Sequence, residues 1–281
     1  MKTVAIVIPA FYKPRFSAEE LISLEHLEKY LGKYDKYFIV PERLNVKKHK
    51  RKGFRFIKFP NKYFPSPKTY NRLLLSESFY NKFKDYRFVL IYQTDAIVFS
   101  NQLLKWCNSG YDYIAAPWFR PIIGSLSHTK GSSAIVGNGG FCLRNVQKSL
   151  KILKKVKKLS TRSSYNLWVR KFWFLWAVMT GKSHKIWLNA PADNYPFNED
   201  GFWSLEAPKY LSGFKNTPFK VAIKFAFERF PRKCFELNGG RLPFGCHAWQ
   251  KYDKGFWVPY IKNWETKGKW YNLGIPDLWK K

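Results

Sequence analysis

Residues Arg87–Ser100 read RFVLIYQTDAIVFS. Phe88–Tyr92 is a continuous run of large and β-branched apolar residues, Gln93-Thr94-Asp95 interrupts it, and Ala96–Phe99 is apolar again. A strand buried on both faces needs such a run, and strands of that kind belong to sheets covered by helices. The stretch therefore predicts a central strand with Asp95 at its end. A carboxylate there is costly to desolvate unless it is paired, hydrogen-bonded or bound to a cation, and open α/β sheets hold their ligands at strand ends. The competing reading is an aspartate that caps the next turn.

Upstream, Val4–Ile8 predicts a first buried strand ended by Pro9. The opening MKTVAIVIPAFYKP has the apolar stretch of a signal peptide, but Pro9 interrupts it and no small-x-small site follows, so a strand is expected. The loop Ala10–Phe16 carries Tyr12, Lys13 and Arg15, and Ser17 with Glu20 three residues on forms a capping box for a helix to about Tyr30. Strands are predicted at Tyr37–Val40 and Phe54–Phe59, joined through the basic run KKHKRK, which reads as a solvated loop without chemistry. Ser66-Pro67 starts a helix with Tyr70, Leu73, Leu74 and Phe79 on its apolar face. Alternating strands and helices predict a parallel, doubly wound sheet.

Residues 101–144 change texture, with short strands around GYDYIAAPW (Gly110–Trp118) and VGNGGFCLR (Val136–Arg144). Gly139 and Gly140 suit either a close approach of backbone to a ligand or a tight hairpin. Lys148–Leu159 interleaves lysines with Leu150, Ile152, Leu153 and Val156, and Tyr165–Met179 adds Trp168, Trp173 and Trp176. Cationic and aromatic residues at helical spacing suit a helix lying on a membrane surface, against an ordinary core helix for the second segment. Asn198 is a candidate cap that sets Glu199 and Asp200 in a first helical turn, where acids suit the helix dipole without any catalysis.

Formal net charge is +31, from 50 Lys and Arg against 19 Asp and Glu. A field of that size points to an anionic partner: nucleic acid, membrane surface or phosphate-bearing substrate. The four cysteines form no CxxC pair, so neither a zinc site nor a disulfide framework is expected, and a reduced, cytosolic compartment is. No apolar run reaches the roughly 18 residues of a membrane span. P-loop, GxGxxG and GxSxG motifs are missing, which argues against a phosphate-cradling glycine loop and against serine nucleophilic catalysis.

What remains is Asp95 at a strand end, Glu199-Asp200 and His247 in a late loop. An Asp and a His can share a hard divalent ion, Mn²⁺ or Mg²⁺, that would neutralise a diphosphate leaving group, while a nearby carboxylate deprotonates an attacking hydroxyl. That combination is glycosyl transfer from a nucleotide sugar. LIYQTDAIVF resembles the DxD strand of GT-A-fold glycosyltransferases, and YQTDA, GYDYIAAPW, VGNGGFCLR, NED-FW and PFGCHAW, in this order, resemble a family of uncharacterised GT-A-like domains. The resemblance implies a Rossmann-like α/β fold with a mixed, mainly parallel central sheet flanked by helices. It implies a hexosyltransferase in which Asp95 and His247 bind metal and Asp200, with Glu199, supplies the general base of an inverting transfer. Donor-binding positions carried across are Pro9, Tyr12, Arg15, Glu42, Asn71, Gln93, Thr94, Asp95, Gly139 and Gly140. Gln93 replaces the first acid of DxD and brings no negative charge, which leaves a lean metal site; the alternative is that Lys or Arg side chains neutralise the diphosphate instead of a metal, with Arg72 or Lys251 as candidates.

The expected organisation is one domain over 1–257, with a nucleotide-binding half (1–100), an acceptor half (101–257) carrying the insertion 146–187, and a basic aromatic tail (258–281). The expected partners are a nucleotide-sugar donor, a glycan or lipid-linked acceptor in polysaccharide biosynthesis, and an anionic membrane surface holding the protein peripherally at its cytoplasmic side. The rival is a nucleic-acid-binding or non-catalytic glycan-binding protein. Against nucleic acid, the aromatics follow apolar core patterns, with no exposed stacking array.

Overall fold

The structure, a computed structural model, describes residues 1–11, 15–119, 136–162, 195 and 197–261. Tyr12, the Tyr165–Met179 segment and the tail beyond residue 261 lie outside the described residues. Nine strands are described: β1 Lys2–Pro9, β2 Asp35–Pro41, β3 Phe54–Phe59, β4 Tyr86–Tyr92, β5 Ile97–Val98, β6 Tyr113–Ile114, β7 Phe141–Asn145, β8 Ala226–Phe227 and β9 Gly245–Cys246. The main sheet runs β3-β2-β1-β4-β7-β6. Its first four strands are mutually parallel, and β7 turns antiparallel against both β4 and β6. The fold is thus mixed α/β with a mainly parallel sheet. A small second sheet, β5-β9-β8, continues from the end of β4 and carries the late loop back to it.

Period-two geometry explains why the central strands are apolar throughout: alternate residues enter different cores. Ala5, Val7, Val89 and Ile91 pack to one side with Leu73, Phe79 and Trp203. Val4, Ile6, Ile8, Phe88 and Leu90 pack to the other with Leu24, Leu27 and Leu31. The helices Ala18–Leu31 (α1) and Leu103–Cys107 (α4) cover the second face, and Pro67–Leu74 (α2), Glu77–Asn81 (α3) and Val146–Arg162 (α5) cover the first. Both expected caps form. Ser17 and Glu20 bond each other's backbone N–H at 3.3 and 2.8 Å, and Ser66 pairs with Thr69 in the same way. Such caps contribute about 1 kcal/mol each and fix where α1 and α2 begin.

One expectation changes. In α5, Leu150, Ile152, Leu153 and Val156 are buried in the core of the protein, so this helix cannot lay an apolar face into lipid. Its lysines, among them Lys151, Lys154, Lys155 and Lys158, face solvent. Among the described residues no helix is long and apolar enough to cross a membrane. The four cysteines are buried and free.

Candidate active site

Strand order reverses at β1: β2 and β3 lie to one side and β4 to the other. At such a switch point the adjoining loops diverge and leave a crevice beyond the carboxyl ends of the strands. Pro9 ends β1, Gln93 follows β4, and between them lies a cavity of about 200 Å³ lined by Pro9, Phe16, Glu20 and His49 on one side and Gln93, Thr94 and Asp95 on the other. Thr94 donates to Glu20 Oε1 at 2.7 Å, tying the end of β4 to the start of α1.

The β5-β9-β8 sheet returns His247 to this point. Its Nε2 lies 3.3 Å from Asp95 Oδ1 and 3.3 Å from Gln93 Oε1, and its Nδ1 lies 3.0 Å from Glu228 Oε1. Burial pulls the His247 pKa down, but hydrogen bonds and charge attraction from Asp95 and Glu228 outweigh it and raise it to about 10. Two oxygens and one imidazole nitrogen converging at this spacing fit Mg²⁺ or Mn²⁺ in donor type, and a cation at Nε2 would compete with its proton. Glu228 holds the opposite nitrogen, the arrangement that orients a metal-binding histidine. Among the described residues no cluster of three or more His, Cys, Asp or Glu side chains suits a metal, so the set depends on the Gln93 amide.

Gly139 and Gly140 join this cluster to the acids. A Cβ on Gly140 would overlap the His247 ring, and one on Gly139 would overlap the Glu199 carboxylate. The turn is fixed by Asn138 Oδ1, which accepts from the N–H groups of Gly140 and Phe141 at 3.0 and 3.2 Å, and Gly140 O accepts from Gln93 N at 2.8 Å. Adjacent Cα atoms are about 3.8 Å apart, so His247 and Glu199 pack onto neighbouring positions of one turn. The glycines serve close packing of functional side chains, a third use beside the two the sequence left open.

Glu199 and Asp200 open a short helix, Glu199–Gly201, as the sequence predicts, and their environments differ sharply. Glu199 is 2% exposed and accepts from Arg144 Nη2 at 2.6 Å, an ion pair buried on both sides. Asn71, with its amide nitrogen turned to the carboxylate, donates to Glu199 Oε2 at 3.0 Å. Asp200 accepts from the Gly201 N–H at 2.8 Å. Burial foremost, then the adjacent Glu199 charge, pushes its pKa up to about 7, with Glu228 adding in the same direction. Glu199 is paired with a buried cation while its neighbour Asp200 has its pKa pushed up to about 7, a contrast of environments that suits different roles for two adjacent acids.

Of the donor-binding positions, Pro9, Gln93, Thr94 and Asp95 line the cavity. Asn71 instead supports Glu199, Glu42 is exposed at the end of β2, and Arg15, Arg72 and Lys251 are exposed outside the cavity wall. Sequence reasoning missed Arg144, Glu228, Glu20 and His49. Arg144 left a signal: a charge inside the apolar strand Phe141–Asn145 has to be paired if it is buried.

Several solved structures resemble this chain. A galactosyltransferase, LgtC, solved in complex with donor and acceptor sugar analogues, is 15% identical over 86% of this chain and 86% of its own, with a TM-score of 0.45. A glycosyltransferase involved in glycosylation of the major capsid of PBCV-1 is 13% identical over 87% of this chain and 92% of its own (TM-score 0.43). The glycosyltransferase GlyE of Streptococcus pneumoniae TIGR4 is 15% identical over 93% of this chain and 60% of its own (TM-score 0.42). Among curated proteins none matches. Residues 53–247, which run from the start of β3 through His247 and so take in both acids and the glycine turn, match the family described as Protein of unknown function (DUF5672), and the chain belongs to that family.

Proposed function

We propose that the protein is a GT-A-type glycosyltransferase that transfers a hexosyl group from a nucleotide sugar to a hydroxyl of a glycan or lipid-linked acceptor with inversion. The observation that carries this reading is Asp200: a buried carboxyl with its pKa near 7, next in sequence to Glu199, which packs on Gly139 while His247 of the Asp95–Gln93–His247 donor cluster packs on Gly140. A base of that pKa takes a proton at neutral pH and still releases it. In the reaction proposed, Asp200 accepts the acceptor hydroxyl proton as that oxygen bonds to the anomeric carbon. The bond from the anomeric carbon to the phosphate oxygen breaks, and the nucleoside diphosphate leaves. Asp95, Gln93 and His247 would hold Mn²⁺ or Mg²⁺, which when bound supplies positive charge to the leaving diphosphate. Glu228 keeps the His247 ring oriented, and Glu199, locked to Arg144, adds the fixed negative charge that keeps Asp200 basic.

The test is a binding panel of nucleoside diphosphates and nucleotide sugars, each with Mn²⁺, Mg²⁺ or chelator, on the wild type and Asp95→Ala. Ligand that binds only the folded state raises its melting temperature by mass action. One nucleotide is expected to give a metal-dependent shift that Asp95→Ala loses, and the anomeric configuration of the product is expected to be inverted by NMR. If no nucleotide binds under any condition, the reading is wrong.

The solvent-facing lysines of α5 and the net charge of +31 support a second element of the proposal, attraction to an anionic surface where a lipid-linked acceptor resides. Vesicle flotation is expected to show binding to anionic but not neutral lipid that weakens with salt. Equal recovery with both lipids removes this element and leaves the transfer reading intact.

A further inference from the structure

His49 lies in the basic run KKHKRK, yet it is 2% exposed while Lys47, Lys48 and Lys50 around it face solvent. The turn Val46–His49 carries its last side chain inward, to the wall of the cavity at the ends of β1 and β4. Both ring nitrogens are buried, and neither has a hydrogen-bond partner among the described residues. A histidine buried for packing does not look like this. His26, at 3% exposure, has its Nδ1 3.1 Å from the Val98 carbonyl. Native structures leave few such groups unmet, and one at a cavity wall marks a place where a ligand completes the bonding.

The rest of the wall narrows the ligand. Phe16 stands edge-on to His49, ring centres 5.0 Å apart, and stacks on Phe38, giving a rigid aromatic surface. Glu20 is 7% exposed, with its carboxylate held in place by Thr94 and by the Ser17 N–H. An aromatic surface, an imidazole offering one donor and one acceptor, and an oriented carboxylate match a flat heterocycle with polar edges joined to a vicinal diol. That is a nucleoside, and the adjoining Gln93–Asp95 turn is where its diphosphate would run.

We propose that His49 selects the base of the nucleotide donor, pairing a ring nitrogen with the base edge while Glu20 accepts from the ribose hydroxyls. This rests on the nucleotide-sugar reading. Base-edge hydrogen bonding discriminates strongly because the wrong base leaves a buried group unpaired. Calorimetric titration with UDP, GDP, CDP, ADP and inorganic diphosphate, in the presence of Mn²⁺, is expected to rank one nucleotide above the others in the wild type. In His49→Leu that lead is expected to fall about tenfold, equal to about 1.4 kcal/mol, while affinity for inorganic diphosphate is unchanged. Glu20→Gln, which can still cap α1, is expected to weaken all ribonucleotides alike. In the wild-type protein the His49 ring proton resonances are expected to move on saturation with the preferred nucleotide and not with inorganic diphosphate, a readout that needs no variant. Nucleotide binding with an unchanged ranking in His49→Leu, or with unmoved His49 resonances, overturns the role of His49 alone. Absence of any nucleotide binding by the wild type overturns the donor reading and this assignment together.

Discussion

An Asp200→Asn protein is expected to transfer sugar about 10²- to 10⁴-fold more slowly than the wild type, the range over which general bases act, with nucleotide affinity preserved. Asparagine keeps the shape and can still accept from the Gly201 N–H, so the loss isolates proton transfer. The wild-type kcat is expected to rise with pH through a limb near 7, where burial and the neighbouring Glu199 place the Asp200 pKa, and the variant to lack that limb. Stability provides a second readout of opposite sign. The folded pKa of about 7 lies above the ordinary 3.8, so between those values the native state binds more protons than the unfolded chain. Wild-type stability therefore falls as pH rises from about 4 to about 7, and the penalty is fully present above pH 7. Asp200→Asn removes it. The variant is expected to melt higher than the wild type at pH 8, with the difference vanishing near pH 4. Normal transfer by this variant would leave Asp200 as a helix-start acid and nothing more.

What was legible in the sequence was local. The run Phe88–Tyr92 announced a strand buried on both faces because both cores draw on it, and Ser17-x-x-Glu20 and Ser66-Pro67 announced their helices because capping is decided within four residues. Asp95 stood out because the runs on either side of Gln93-Thr94-Asp95 are apolar. The amphipathic α5 was legible as a helix, but the pattern cannot say whether its apolar face meets lipid or the protein's own sheet. Partners brought together over long sequence separations were not legible. Glu228 touches His247 through the β8–β9 pairing, and Arg144 reaches Glu199 across 55 residues. His49 was hidden for a different reason: in a run of cations, one inward-turning side chain has no periodicity to betray it. Glu42, a position carried over by resemblance, is exposed directly after β2 and is not among the residues lining this cavity.

The Arg144–Glu199 pair sets the frame in which Asp200 works, and it is the site where a substitution should destabilise most. Arg144 is 1% exposed and donates to Glu199 Oε1 at 2.6 Å and to Tyr80 Oη at 3.2 Å, with its guanidinium 5.8 Å from the Trp203 ring centre. Arg144→Met fills much of the space but strands a buried carboxylate against Gly139, and breaking one side of such a pair costs about 3–5 kcal/mol. Urea denaturation at pH 8 is expected to show a loss of that size. Replacing both partners, Arg144→Met with Glu199→Gln, is expected to recover most of it, because the amide can still meet Asn71 and no charge is left unpaired. The double variant also tests the electrostatic link to catalysis. Glu199 raises the Asp200 pKa more than Arg144 lowers it, so removing both charges shifts the Asp200 limb of the pH profile to lower pH. A double variant that is stable but keeps its limb near 7 would mean that burial alone tunes Asp200. A single variant that loses less than about 1 kcal/mol, the scale of an exposed pair, would mean that Glu199 is held by something other than Arg144.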